Sequence, residues 1–313
     1  MSRIQVNKVQ AFTGHNDCVY TLSPGLLDTS FFSSGGDGLV VKWDLDNLNE
    51  GSLIAQLPNS VYSLKYDSKS NLLITGQNYD GIHLLDWQSK QEVASLKLTT
   101  GAIFDITTFE DDILIATGEG MLVVVDRNTL QIKAKLLLSE RSARVMAINP
   151  KTGEVAIGFS DNFIRVFSLR DYRLRNEFKA HNNSVFALSY TPDFNFLISG
   201  SRDARLKIWD TEDYQQTGEV VAHLFAINHI AFSPSGEYFA TASMDKSIKI
   251  WQASEMKLLK VIDKARHAGH GTSVNKLLWL AHRNQLISAS DDHTISVWDI
   301  RFPDSNSSRQ GDS

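Results

Sequence analysis

The sequence predicts an all-β fold: a closed ring of seven four-stranded antiparallel blades. Three observations predict it. A segment ending in tryptophan recurs with four position types at fixed offsets, and the recurrences step mostly by 42 residues. Each step holds only short strand-like runs divided by turns, and no amphipathic helix of useful length interrupts them.

The recurrence is clearest in four segments: GGDGLVVKWD, SRDARLKIWD, SMDKSIKIWQ and SDDHTISVWD, which carry Trp43, Trp209, Trp251 and Trp298. An aspartate stands six residues before each Trp: Asp37, Asp203, Asp245 and Asp292. A histidine stands 22 residues before each of those: His15, His181, His223 and His270. Ser or Thr stands four residues before the Asp: Ser33, Ser199, Thr241 and Ser288. Three weaker copies fill the gap between Trp43 and Trp209, with Leu85, Val125 and Phe167 at the Trp position. The successive steps are then 42, 40, 42, 42, 42 and 47 residues, which makes seven repeats.

Within a repeat, runs such as SVFALSY, FLISGS and RLKIWD alternate or are apolar throughout, and turns fall at PDFN and RDA. A unit of about 40 residues with four short strands is one blade of a β-propeller.

These residues resemble the WD-repeat family over roughly residues 3 to 302. The resemblance implies a seven-bladed β-propeller at residues 1–302, with each repeat starting on the outer strand of one blade and ending on the third strand of the next. It also implies that the N-terminal strand closes the ring. The run IQVNKVQAF, Ile4 to Phe12, precedes His15, and the regular pattern ends after ISVWDI, as such a clasp requires. An unclosed ring would leave two exposed sheet edges. The tail at 303–313 is polar and Ser-rich, and disorder is expected there.

Recurring Ser, His and Asp invite a catalytic-triad reading, but a triad occurs once per active site and this set occurs four times with a Trp at a constant offset. The family resemblance implies a buried chain in which the indole donates to the hydroxyl, and the hydroxyl and Asp hold the two imidazole nitrogens. Repeats 2, 3 and 4 depart from it, with Leu57, Thr99 and Ser139 at the His position and Tyr79, Glu119 and Asp161 at the Asp position. Their Ser/Thr positions hold Thr75, Ile115 and Ile157. Those blades are expected to rely on apolar packing, giving one hydrogen-bonded half of the ring and one softer half.

No other motif carries chemistry. His267, His270 and His282 lack a third ligand at a metal-site spacing, and there is no glycine-rich phosphate loop. Cys18 is the single cysteine, and nothing near it in sequence marks a nucleophile. Trp279 is expected in a blade core, and Trp87 has no assigned role. No catalytic residue, metal or cofactor is expected. The net charge of −5 offers no global attraction to nucleic acid or to an anionic membrane. Hydrophobic residues make up 42% of the chain, enough for a folded core, and no apolar stretch is long enough to span a membrane. With no secretory h-region at the start, a cytoplasmic protein is expected, monomeric or part of a larger complex.

In WD-repeat propellers partners often contact three positions per blade on the narrower top face. In this numbering they lie three and five residues after the His and one before the Asp. The five-after position runs Tyr20, Tyr62, Phe104, Arg144, Phe186, Asn228 and Asn275, and the position before the Asp includes Arg202 and Met244. Aromatics and arginines around one channel mouth are an interface-like composition. The competing reading is that the aromatics only plug the channel. The long last step adds KVIDKARHAGHG, with Lys264 and Arg266, to the same face. The expected function is a non-catalytic scaffold holding a protein segment there. One alternative is a substrate receptor of a cullin-type ubiquitin ligase, from the likeness of Trp298-Asp299-Ile300-Arg301 to a WD-x-Arg box. Another is an enzyme at the channel mouth, which would need convergent titratable groups.

Overall fold

A computed structural model describes residues 4–47 and 51–302. The tail expected to be disordered lies outside the described residues. Seven four-stranded antiparallel sheets form, and in six of them the strands follow chain order. The innermost strands are Val19–Pro24, Val61–Asp67, Ile103–Phe109, Ala143–Asn149, Val185–Tyr190, Ile227–Phe232 and Val274–Leu280. Each contacts the next, and the last contacts the first, so the ring is closed.

The strand patterns follow from what covers them. Second strands lie between neighbouring blades and are buried almost end to end, as in Ser30–Gly35 and Gln285–Ser290. Outer strands have one face in water and alternate, as in Leu174–Lys179 and Gln216–Val221. The core is therefore seven inter-blade clusters. One example joins Val19, Phe31 and Trp43 of blade 1 to Leu280, Ile287 and Val297 of blade 7. Between blades 2 and 3 the cluster is aliphatic, built on Ile74, Ile82, Ile103, Ile113 and Val125.

Closure is by the N-terminal strand. Gln5–Phe12 pairs antiparallel with Ile295–Arg301, from Gln5 opposite Arg301 to Phe12 opposite Ile295. A bulge between Lys8 and Gln10 re-aims the strand in its middle. Phe12 is buried, its ring 4.9 Å from that of Trp43 and 5.8 Å from that of Phe31. The clasp thus supplies an outer strand to blade 7 and an apolar anchor to blade 1.

Both remaining tryptophans have structural places. Trp279 is buried and donates to the Asn284 side chain at 2.9 Å. Trp87, left unassigned by sequence, packs its ring 5.9 Å from Phe32 with the Lys42 ammonium 4.4 Å above it. The expected loop at KVIDKARHAGHG contains a single turn of helix, Lys264–His267, because Asp263 caps it by accepting from the Arg266 backbone N–H at 2.8 Å.

Deleting residues 1–12 should lower the denaturation midpoint sharply, and Phe12→Ala alone should cost about 3–5 kcal/mol as a buried aromatic truncation. Urea melts of both variants check this; a deletion that melts like the full chain would contradict the closure.

Candidate partner-binding site at the channel mouth

Four hydrogen-bonded sets pin the top-face loops. In blade 1 the Trp43 indole donates to Ser33 Oγ at 2.7 Å, Ser33 Oγ lies 2.8 Å from His15 Nε2, and His15 Nδ1 lies 3.0 Å from Asp37. The sets of Trp209, Ser199, His181 and Asp203, of Trp251, Thr241, His223 and Asp245, and of Trp298, Ser288, His270 and Asp292 repeat it, every link between 2.7 and 3.0 Å. The Asp also accepts the backbone N–H after the His, as Asp203 does from Asn182. These carboxylates are consumed in holding loops. Burial opposes ionisation of Asp203, yet the bonds from His181 and Asn182 hold its pKa down to about 2.

Blades 3 and 4 correct the expectation of purely apolar packing. Thr99 donates to Glu119, and Ser139 donates to Asp161 at 2.8 Å. The loop-to-turn half of the set survives there without histidine, because a hydroxyl on the loop still reaches the turn carboxylate. Blade 2 lacks both, and Leu57 is buried in place of the His.

The mouth itself is built by one backbone device repeated seven times. Every pairing of a first strand with its second shifts register near the top: between Val19 and Thr21, Val61 and Ser63, Ile103 and Asp105, Ala143 and Val145, Val185 and Ala187, Ile227 and His229, and Val274 and Lys276. The residues skipped are Tyr20, Tyr62, Phe104, Arg144, Phe186, Asn228 and Asn275. A bulged residue leaves the ladder and its side chain is re-aimed. All seven line one cavity of about 600 Å³ at the channel mouth.

Around that mouth the chemistry is split. Tyr20 and Tyr62 meet edge to face at 4.8 Å, Tyr62 and Phe104 stack at 5.7 Å, and the Arg144 guanidinium lies 3.7 Å from the Phe104 ring and 4.7 Å from the Phe186 ring. The five form a continuous arc, and each is only partly buried. Arg144 makes no hydrogen bond or ion pair among the described residues. Burial lowers its pKa to about 10, against the favourable field of Tyr62, so it stays cationic at neutral pH. Across the mouth, Asn228 donates to Ser273 and to the Val274 carbonyl, and Asn275 donates to the Val19 carbonyl and to Asp291. Those amides tie blade 6 to blade 7 and blade 7 to blade 1.

Three titratable residues in the lining escaped the sequence reading: Asp105, His229 and Lys276. Each directly follows a bulged residue, which was the available signal. Asp105 accepts the N–H of Met146 at 2.7 Å and of Ile106 at 3.0 Å, and His229 Nδ1 accepts the N–H of Leu277 at 3.3 Å. Both therefore bridge to the next blade. Burial raises the Asp105 pKa and lowers those of His229 and Lys276.

Of the other positions expected on this face, Met244 lines the cavity, whereas Arg202, Lys264 and Arg266 are exposed and outside its lining. Arg266 leans toward Asp263, 3.6 Å away. Sequence reasoning also missed Leu224 and Phe225, exposed apolar residues on the loop after His223, 83% and 62% accessible. The carbonyl of Phe225 accepts from Ser243 and that of Ala226 from the Met244 N–H, so this loop is fastened beside the mouth. A second cavity, about 620 Å³, lies between the turns joining the first and second strands of blades 5 and 6, lined by residues such as Pro192, Phe232 and Tyr238. It is similar in size but gathers no comparable arc of rings and cation. Arg301 of the WD-x-Arg sequence is exposed and pairs with Asp299 at 3.0 Å.

Seven blades in a closed ring, four of them pinned by these Trp–Ser/Thr–His–Asp sets, define a WD-repeat β-propeller, and the chain belongs to that family. A family model for the WD domain, G-beta repeat, matches residues 6–44, 172–210, 214–252 and 261–299, the four repeats with complete sets. A curated relative is the WD repeat-containing protein SL1-17 of Schistosoma mansoni, 23% identical over 172 residues, 54% of this chain and 57% of that one. The match thus spans little more than half of that relative's length. Among solved structures, the WD40 β-propeller domain of Doa1 superposes with a TM-score of 0.83 over 94% of this chain and 96% of that one, at 17% identity. That likeness is one of fold. WD-repeat propellers generally serve as protein-interaction scaffolds, and the fold suggests that role here.

The hydrogen-bonded sets carry a stability prediction. Asp203→Ala should cost about 1–3 kcal/mol by leaving His181 without its partner, and Glu119→Ala clearly less. Acid should act in two stages. Burial lowers the pKa of His15 and His223 against the pull of Asp37 and Asp245, so the unfolded chain takes up those protons first and stability falls below about pH 6.5. The depressed Asp203 contributes stability above its unfolded value, and that part is lost as pH falls from about 4 toward 2. Denaturant midpoints between pH 7 and 2 read both stages, and Asp203→Ala should reduce the lower one, to which Asp245 and Asp292, also held down by their histidines, still contribute.

Proposed function

We propose that the chain is a non-catalytic scaffold that seats an extended protein segment across the top-face mouth. The segment places apolar anchors on Tyr20, Tyr62, Phe104 and Phe186 and an acidic group on Arg144. The observation that carries this reading is the state of Arg144. Two rings lie against it, while its N–H groups have no acceptor among the described residues. A carboxylate approaching edge-on would take those donors in a bidentate pair. Exposed Leu224, Phe225 and Met244 extend the apolar surface on the blade 6 side. They support a partner footprint wider than the cavity.

The same geometry speaks against the reading that the aromatics are only a plug. A plug would bury its rings and pair its cation internally. It also gives an enzyme little to use, since Asp105 and His229 are occupied by backbone N–H groups of neighbouring blades. The ubiquitin-ligase reading rests on Trp298-Asp299-Ile300-Arg301, in which the exposed Arg301 guanidinium pairs with Asp299.

The test is a pull-down with mass spectrometry, followed by affinity measurements for the partner so found. Phe186→Ala and Arg144→Ala should each weaken binding by about 2 kcal/mol or more, as buried interface anchors do. Lys264→Ala should mainly slow association and reduce its salt dependence. Retained affinity in both Phe186→Ala and Arg144→Ala, with the fold intact, would move the site elsewhere on the ring.

A further inference from the structure

We propose that Asp17, Cys18 and His293 form a binding site for a borderline-soft divalent metal of the zinc type, placed across the closing seam of the ring. The three come from opposite ends of the chain. Asp17 and Cys18 lie on the loop that enters blade 1, and His293 lies on the turn between the second and third strands of blade 7. Their ligand atoms all lie within 4.8 Å of one another.

The repeat gives an internal standard for each residue. At the position of Cys18, blades 2, 4 and 5 carry Ser60, Ser142 and Ser184, whose hydroxyls donate to the turn carbonyls of Gly36, Gly118 and Ser160 in the preceding blade. Cys18 makes the corresponding contact to the Asp291 carbonyl at 3.7 Å. Serine therefore suffices for the inter-blade staple, and the thiol brings a donor the staple does not need. The position of His293 takes a positive φ in blade after blade: +70° at Gly38, +79° at Gly120, +77° at Asn162, +66° at Ala204, +72° at Lys246 and +65° at His293. The turn thus accepts varied side chains, and the His293 nitrogens make no hydrogen bond among the described residues. At the position of Asp17, blade 5 has Asn183, whose side chain accepts the next N–H at 2.9 Å; Asp17 does the same for Cys18 at 2.7 Å. One carboxylate oxygen is thus oriented by the backbone, and the other lies over Gly36, where a Cβ would meet it at 2.6 Å. Only at this seam do all three turn positions carry ligand side chains.

The donor set selects the metal. One sulfur, one imidazole nitrogen and one carboxylate oxygen suit zinc, cobalt or nickel and not calcium or magnesium, which require oxygen shells. Three protein ligands leave a fourth position. Asp17 and His293 are exposed and Cys18 lines the mouth cavity, so that position is open to solvent or to a donor from whatever occupies the mouth. Because the ligands bridge the first and last blades, bound metal would fasten the ring where Gln5–Phe12 closes it.

The same standard supplies substitutions that the fold already tolerates: Cys18→Ser, His293→Gly and Asp17→Asn. The full chain, stripped with a chelator, is titrated with Co²⁺. The expected result is one equivalent bound with near-ultraviolet thiolate-to-cobalt absorption, displaced by Zn²⁺, and a melting temperature that rises with Zn²⁺. Cys18→Ser should abolish the absorption. His293→Gly and Asp17→Asn should each weaken Co²⁺ binding by about tenfold or more, judged by the effect of losing even supporting residues at metal sites, while melting of the metal-free variants stays near that of the parent. Absence of thiolate absorption at saturating Co²⁺ would overturn the proposal. So would absorption whose affinity neither His293→Gly nor Asp17→Asn changes, since the thiol would then bind metal alone.

Discussion

Everything on the top face depends on one backbone pairing, that of Gln5–Phe12 with Ile295–Arg301. A propeller blade is not a stable unit alone, because its second strand is apolar on both faces and must be covered by neighbours. Six blades can cover one another in series. The seventh has an outer edge to be filled and a face to be set against blade 1. The N-terminal strand meets both needs, pairing with blade 7 and inserting Phe12 against Trp43 and Phe31 of blade 1. If it detached, the inner strands would lose their circular contact and the mouth would lose its shape.

Given a closed ring, the mouth is the product of a repeated local exception. Each first strand bulges once, one residue below its top, and the bulged side chain faces the channel. The residue type at that point is free to vary, since it contributes nothing to the ladder. Blades 1 to 5 use that freedom for rings and a guanidinium; blades 6 and 7 use it for amides that bond across to the next blade. The proposed recognition chemistry and the ring cohesion thus fall on different arcs of one circle. Within that arc the Arg144 guanidinium lies against the Phe104 and Phe186 rings and makes no hydrogen bond among the described residues.

Periodicity explains what was legible in the sequence. Four repeats with His, Ser/Thr, Asp and Trp in phase announced the blades, and a period then placed the three weak copies and all seven mouth residues. The clasp followed from the resemblance to the WD-repeat family, whose rings close in this way. What escaped has no period. Asp105, His229 and Lys276 are single events on inner strands. Trp87 finds Phe32 through packing between blades. Thr99 with Glu119 and Ser139 with Asp161 keep a loop-to-turn bond by a different chemistry from the histidine sets, so a search for histidine overlooked them. Leu224 and Phe225 fit no repeat position, and only the structure shows that their loop exposes them. Asp17, Cys18 and His293 meet only because the ring closes.

The central claim is that a partner is held at the mouth formed by the bulged residues. Hydrogen–deuterium exchange on the full chain, with and without the captured partner, tests it most directly. The account predicts slowed exchange at the top of the inner strands and in the loops entering them, near residues 16–20, 58–62, 100–104, 140–144, 182–186 and 224–228. The turns at 25–29, 68–71, 192–195 and 234–237, on the opposite face, should exchange at their free rates. Protection confined to those turns, with the mouth segments unchanged, would contradict it.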